Sequence, residues 1–133
     1  MSKEEQLREA CSKDRFDEVR ELIDEGVDLE LRDRSGRTPL IWAAIEGNVD
    51  IVRLFLDNGA NVHHKSNFGL TALHSAAWNG RDKAVRLLIK SGANIHARNN
   101  DGDTPLDDAR GNKKFPAIAI IERAITSTKG KND

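Results

Sequence analysis

Eight of the ten glycines in this chain recur at intervals of 33 residues. They form three series: Gly36, Gly69 and Gly102; Gly26, Gly59 and Gly92; and Gly47 and Gly80. A constant period of this length is typical of solenoids, in which short helical units stack on their neighbours and share one continuous core. The spacing therefore predicts an all-α repeat protein.

Each 33-residue unit carries the signals of two helices and a connector. Threonines suited to N-cap the first helix stand at Thr38, Thr71 and Thr104, and prolines suited to its first position stand at Pro39 and Pro105. Gly47 and Gly80 follow about two turns later, where a left-handed residue commonly closes a helix. A second apolar segment comes next, and a polar connector then leads to the next turn glycine. Each unit is predicted to be a helix, a turn, a second helix and an extended finger.

The aligned units also share a motif. Thr38-Pro39-Leu40 with Ala43-Ala44 aligns with Thr71-Ala72-Leu73-His74 with Ala76-Ala77, and Asn58-Gly59-Ala60-Asn61-Val62 aligns with Ser91-Gly92-Ala93-Asn94-Ile95. These segments resemble the ankyrin repeat, over roughly residues 4 to 125. The resemblance implies an ankyrin-repeat solenoid of stacked helix-turn-helix units with β-turn fingers. It implies four repeats in one domain of residues 1–127, namely 1–35, 36–68, 69–101 and 102–127, and leaves residues 128–133 as a disordered tail.

The end repeats carry polar replacements at positions that are apolar elsewhere. Glu21 stands where the inner repeats have leucine, Arg110 where they have alanine, and Glu122 where they have leucine or isoleucine. We expect the first and last repeats to be caps of a complete small protein, with a section of a longer array as the alternative. Cys11 shares the register of Ala44 and Ala77, which predicts a buried core cysteine rather than a nucleophile.

Charge and composition say less about function. The net charge is −1, but residues 1–33 hold 12 acidic and 6 basic side chains, and the rest hold 10 acidic and 15 basic ones. We interpret the acidic end as a solvated cap rather than a steering surface. No apolar run is long enough to span a membrane, and the N-terminal residues lack the apolar core of a secretory signal. One cysteine fits a reducing compartment, so we expect a cytoplasmic location, with the nucleus as the alternative.

No motif points to catalysis, a cofactor or a metal. Phosphate loops, dinucleotide motifs and HExxH are absent from the sequence. Repeat geometry accounts for His63 and His96 better than a metal site does, and Asp107 and Asp108, being consecutive, point to different sides of a helix. The family resemblance implies that His74 is a structural hydrogen-bonding residue between neighbouring fingers. We therefore expect a non-catalytic protein without cofactors.

The resemblance also implies a binding surface, formed by the finger tips and the exposed face of each first helix. Carried over to this chain, the candidate partner-binding residues are Arg34, Arg37, Trp42, Ile45, Glu46, Lys65, Asn67, Phe68, Leu70, Ser75, Trp78, Asn79, Arg98, Asn100 and Asp103. Trp42 and Ile45 share one helical face, which we expect to be exposed, and aromatic side chains beside arginines are typical of binding hot spots. The alternative is that Trp42 and Trp78 fold into the groove between repeats and fill it.

The third repeat departs from the family pattern at two positions. Ser66 replaces the aspartate that usually opens a finger, and Ala72 replaces the helix-opening proline. Both changes predict a less rigid finger at this point in the stack.

These features favour a monomeric interaction module that binds one folded protein on its concave surface, as a stoichiometric regulator or inhibitor. A structural adaptor bridging two proteins and an engineered binding scaffold are the alternatives. A binder of nucleic acid or anionic lipid would use Arg32, Arg34, Arg37, Lys65 and Arg98, but interspersed carboxylates argue against it.

Overall fold

The computed structural model describes residues 1–127 in full and assigns the backbone of residues 128–132 to the last helix. The described residues form eight helices and no strands. The helices are α1 (Lys3–Ser12), α2 (Phe16–Asp24), α3 (Pro39–Glu46), α4 (Val49–Asp57), α5 (Ala72–Trp78), α6 (Asp82–Lys90), α7 (Pro105–Gly111) and α8 (Phe115–Asn132). The predicted disordered tail of residues 128–133 lies outside the fully described residues, so it stays a prediction.

The first helix of each later unit begins where the threonines predict. Thr38, Thr71 and Thr104 are the N-caps of α3, α5 and α7. The hydroxyl of each accepts a hydrogen bond from the backbone N–H three residues on, at 3.5, 3.2 and 3.2 Å respectively. Such a bond satisfies one of the donors that a helix leaves free at its start. At the other end of α3, Gly47 adopts the left-handed conformation with φ 81°.

The helices form two layers with the core between them. Helices α1, α3, α5 and α7 pack side by side in one layer, and α2, α4, α6 and α8 pack side by side in the other. The core repeats with the sequence period, because residues 33 apart occupy equivalent places. One such series is Leu22, Phe55, Leu88 and Ile121, and all four side chains are buried. The predicted all-α helical solenoid is confirmed.

Small residues bring the first layer close together. Ala10, Ala43, Ala76 and Ala109 form one buried series, so neighbouring helices approach without intervening bulk. At the C-terminal end, the polar replacements Arg110 and Glu122 are both exposed, and they form an ion pair of 2.8 Å. An exposed pair of this kind adds little stability but keeps the end of the stack polar.

Candidate functional site

The fingers, which are the extended connectors between repeats, are closed by one recurring arrangement. Each finger has one residue, Asp33, Ser66 or Asn99, whose side-chain oxygen accepts hydrogen bonds from the backbone N–H groups two and four residues later. Both bonds to Asp33 measure 2.9 Å, whereas both bonds to the Ser66 hydroxyl measure 3.2 Å. Ser66 therefore keeps the shape of its finger but holds it with longer bonds.

Side-chain amides connect one finger tip to the next. Nδ2 of Asn67 donates to the Arg34 carbonyl at 2.9 Å, and Nδ2 of Asn100 donates to the Asn67 carbonyl at 2.9 Å. Asn67 and Asn100 were predicted as partner contacts and both are exposed, but these amide donors are used inside the stack. Their first role is to fix the spacing of the tips.

Cations form a second connection along the edge of the fingers. Nη1 of Arg32 donates to the Lys65 carbonyl at 3.1 Å, and Nζ of Lys65 donates to the Arg98 carbonyl at 3.0 Å. Arg98 in turn donates to the Gly102 carbonyl at 3.0 Å. The candidate residues Lys65 and Arg98 are exposed, but the charged group of each already donates a hydrogen bond to a backbone carbonyl.

Trp42 does not lie on the surface. Its side chain is 6% exposed, and its indole N–H donates to Oδ2 of Asp33 at 3.0 Å. The Arg8 guanidinium lies 5.6 Å from the ring centroid, so the ring is covered by α1 as well. The expectation that Trp42 is exposed was wrong, and the alternative that it fills the space between repeats holds for this tryptophan. The carboxylate that binds the indole belongs to the preceding finger, so it does not appear on the helical face of α3.

Trp78 is the opposite case, because 48% of its side chain is exposed. Gly111 occupies the equivalent place one repeat later, and a Cβ there would lie 3.9 Å from Cζ3 of the Trp78 ring. Nδ2 of Asn112 also donates to the Trp78 carbonyl at 2.7 Å. The ring therefore lies beside α7 on the accessible face of the first layer. Phe68 projects from the neighbouring finger tip with 61% of its side chain exposed.

A groove runs between the fingers and the first layer of helices. This concave groove has a volume of about 410 Å³ and is lined by Arg37, Ile41, Ile45, Ser66, Leu70, His74, Ser75, Trp78, Asn79 and Asp108. Six of these were predicted partner contacts, namely Arg37, Ile45, Leu70, Ser75, Trp78 and Asn79. An apolar wall with a few polar groups is the usual composition of a binding cleft. The fold therefore brings sequence candidates of two neighbouring repeats, 36–68 and 69–101, to one site.

The other candidates lie around this groove. Arg34 and Glu46 are exposed, and Asp103 is half-buried. Asp103 uses its backbone: its N–H donates to Asn99 at 3.0 Å, and its carbonyl lies 2.9 Å from Nε2 of His74.

His74 acts as the resemblance implied. The Thr71 backbone N–H donates to Nδ1 at 3.2 Å, so Nε2 carries the proton and donates to the Asp103 carbonyl. Burial lowers the pKa of His74, which keeps the ring neutral near pH 7. The histidine links α5 to the next finger and forms part of the floor of the concave groove.

Asp108 also lines the concave groove, although it was not among the candidates predicted from the sequence. Its side chain is 8% exposed and borders the concave groove. The neighbouring Asp107 is exposed, and its carboxylate caps α7 by accepting a 2.9 Å hydrogen bond from the Thr104 N–H. Burial raises the pKa of Asp108 to about 6, and the nearby carboxylates of Asp103, Asp107 and Asp101 add to the rise. The repeat could have indicated this position, because Asp108 aligns at intervals of 33 residues with the candidates Trp42 and Ser75.

A second groove lies on the other layer, between α4 and α6. It has a volume of about 570 Å³, and its lining includes the cations of Arg53, Lys83, Arg86 and Lys90. Among the described residues, no ion pair or side-chain hydrogen bond involves any of the four. This convex groove was also missed, although Arg20, Arg53 and Arg86 recur at the repeat interval.

The surroundings of Cys11 make it an unreactive side chain. Cys11 is buried, and burial raises its thiol pKa to about 12, so the thiolate that a nucleophile requires is scarce. Within the described part of the chain, no three His, Cys, Asp or Glu side chains are grouped as metal ligands would be. None of the described helices combines the length and the apolar character needed to cross a bilayer.

The comparison with protein families agrees with this architecture. A family model for ankyrin repeats, written for three copies, matches residues 7–99 and also residues 58–121. Among curated proteins, none matches the chain. Since the family model covers most of the sequence, and the stacked helix pairs follow its repeats, the chain belongs to the ankyrin-repeat family.

Proposed function

We propose that this chain is a non-catalytic interaction module that binds one folded partner protein in its concave groove. Ankyrin repeats generally mediate protein–protein interaction. The observation that carries the proposal is the exposed Trp78 ring beside Ile45 and Leu70, in a groove that also offers Arg37 and Asn79. A large aromatic side chain on a rigid support is the kind of residue that dominates binding energy at interfaces.

The surroundings of the groove support a rigid binding surface. The finger tips are tied together through Asn67 and Asn100, and His74 ties α5 to the next finger. A surface held in this way loses little conformational entropy on association. Phe68, Arg34, Glu46 and the exposed parts of the other finger residues extend the contact area beyond the groove.

We further propose that the protein acts as a stoichiometric regulator, by covering a site that the partner needs for its own activity. Occlusion requires only a rigid surface of sufficient area, and the linked finger tips together with α5 provide one. The expected location is the cytoplasm, or the nucleus if the partner resides there.

The test begins with affinity capture from an extract of the source cells, with wild-type protein and two variants as bait. Trp78→Ala removes the groove aromatic, whereas Phe115→Ala removes an even more exposed aromatic that does not line the groove. The captured partner is identified, purified and titrated by calorimetry, and circular dichroism checks that both variants are folded. We expect one-to-one binding that Trp78→Ala weakens by about tenfold or more and Phe115→Ala leaves within about twofold.

Equal binding by all three proteins would place the interface elsewhere and overturn the proposal. The adaptor alternative is favoured by one observation, which is the convex groove with its four cations. An adaptor would retain a second protein in the capture experiment, and Arg53→Glu with Arg86→Glu would release that protein alone.

A further inference from the structure

Asp108 places a carboxylate in the concave groove without giving it a partner. The side chain is 8% exposed, and within the described part of the chain no hydrogen bond or ion pair reaches it. The equivalent residues in the other repeats are satisfied, since Trp42 donates to Asp33 and the Ser75 hydroxyl donates to the Thr71 carbonyl at 3.2 Å. A buried carboxylate that lacks a partner is unfavourable for folding.

The local structure does not require this carboxylate. The N-terminus of α7 is capped by Thr104 and Asp107, which form a reciprocal capping box. Asp108 makes no contribution to that cap, and no neighbouring finger uses its side chain. The group is therefore available to something outside the chain.

The charges around Asp108 favour a cation. Asp101, Asp103 and Asp107 all act on it electrostatically, and each disfavours its ionised form. The groups of α5 and its C-cap that line the same groove are the neutral His74 and the uncharged Ser75, Trp78 and Asn79. Arg37 is the basic residue of the groove lining, and it comes from the finger two repeats away.

Trp78 completes this end of the groove. Its ring lies beside Gly111, which follows Asp108 by one helical turn on α7, so the ring and the carboxylate border the same space. Aromatic faces attract cations and also cover the methylene chains of lysine and arginine. Ile45 and Leu70 provide further apolar wall in the same groove.

We propose that this end of the concave groove binds a lysine or arginine side chain of the partner protein, with Asp108 as its counter-ion and Trp78 covering its methylene chain. The inference rests on the proposed function and specifies the chemistry of the partner. The bound cation replaces the missing partner of Asp108. Arg37, at the far end of the groove, then gives the bound segment a fixed direction, with its cation at the fourth repeat.

The test uses three acetylated and amidated tripeptides, Leu-Lys-Leu, Leu-Arg-Leu and Leu-norleucine-Leu, titrated into the full ¹⁵N-labelled chain at pH 7.5. We expect the two cationic peptides to shift the Trp78 indole resonance and the Asp108 amide resonance. The better cationic peptide should bind at least about tenfold more tightly than the norleucine peptide, because a charged hydrogen bond is gained. The order of lysine and arginine identifies the preferred cation.

Two variants make the result specific to this carboxylate. Asp108→Asn should abolish the preference for the cationic peptides, while Asp101→Asn, which removes the same charge from an exposed finger tip, should retain it. The amide spectra of both variants show whether the fold is intact.

Three results would overturn the inference. Equal affinity for the lysine, arginine and norleucine peptides would make the groove a purely apolar site, and the proposed function would stand. A preference that survives Asp108→Asn, or no groove shifts with any peptide, would remove Asp108 from recognition, and the Trp78→Ala capture experiment would still decide the proposed function. Concentration-dependent shifts of Trp78 without peptide would assign the groove to a second copy of this chain.

Discussion

The indole N–H of Trp42 donates a 3.0 Å hydrogen bond to Oδ2 of Asp33, whose other carboxylate oxygen closes the finger that precedes α3. Arg8 approaches the same Oδ2 at 3.6 Å from α1. Burial tends to raise the pKa of Asp33, but hydrogen bonds from Arg37, Trp42 and Ser35 outweigh it, and the pKa lies below its usual value. One carboxylate thus joins a finger and two helices.

Trp42→Phe tests this connection. The variant removes a hydrogen bond to an ionised group, so we expect the free energy of unfolding to fall by about 1.5–3 kcal/mol. Urea denaturation followed by circular dichroism measures the change. Trp78→Phe is the matched control and should change stability by less than about 0.5 kcal/mol, because the second ring is exposed. Similar losses from both variants would contradict the different roles assigned to the two tryptophans.

Gly69→Ala is expected to destabilise the stack more than Gly59→Ala. Both glycines have positive φ, 77° and 87°, so both variants incur backbone strain of about 1–2 kcal/mol. Only at Gly69 would the added Cβ meet a neighbouring finger, at 2.8 Å from the Asn100 backbone nitrogen. Urea denaturation of the two variants side by side isolates the effect of finger contact. Equal destabilisation would mean that the finger can move aside.

His74→Ala should lower the free energy of unfolding by about 2–4 kcal/mol at pH 7.5, because it leaves buried hydrogen-bonding groups unsatisfied. The folded-state pKa of His74 is lowered, so the wild type loses this stability as the pH falls below the unfolded pKa of about 6.5. The gap between wild type and variant should therefore narrow from pH 7.5 to pH 5. His63→Ala, at an exposed histidine, serves as the control and should leave the free energy of unfolding at pH 7.5 within about 0.5 kcal/mol of the wild type. A constant gap across this range would show that the folded state binds the proton as readily as the unfolded chain.

Asp108→Asn is expected to raise the free energy of unfolding at pH 7.5, whereas His74→Ala lowers it. The folded-state pKa of about 6 lies above the unfolded value of about 3.9, so the carboxylate reduces stability as the pH rises from about 4 to about 6. At pH 7.5 the variant should exceed the wild type by about 1–3 kcal/mol, and near pH 4 the two should coincide. Urea denaturation at several pH values checks this, with Asp101→Asn as a control of equal charge. A variant less stable than wild type at pH 7.5 would show that Asp108 supports the fold.

The repeating parts of this molecule follow from the sequence. Helix starts at Thr38 and Thr71, the buried Cys11 and the structural His74 were all expected, because each depends on local chemistry or on register within one 33-residue unit. The same reasoning located six residues of the concave groove.

The differences between repeats were harder to predict. Burial of Trp42 depends on Asp33, nine residues earlier, and a helical projection of α3 does not include that residue. The sequence predicted that Asp107 and Asp108 point to different sides of a helix, but it does not tell which of the two sides is covered by a neighbouring repeat. Only the packing of α7 against α5 places one of them in the groove and leaves the other in solvent.

The links between finger tips also have a mechanical consequence. Asn67 and Asn100 join residues one repeat apart by hydrogen bonds of fixed length, so the finger side of the solenoid resists extension. The second layer of helices is joined mainly by apolar contacts, which tolerate small sliding movements. Bending of the molecule should therefore open and close the convex groove, while the width of the concave groove along the stack stays nearly constant.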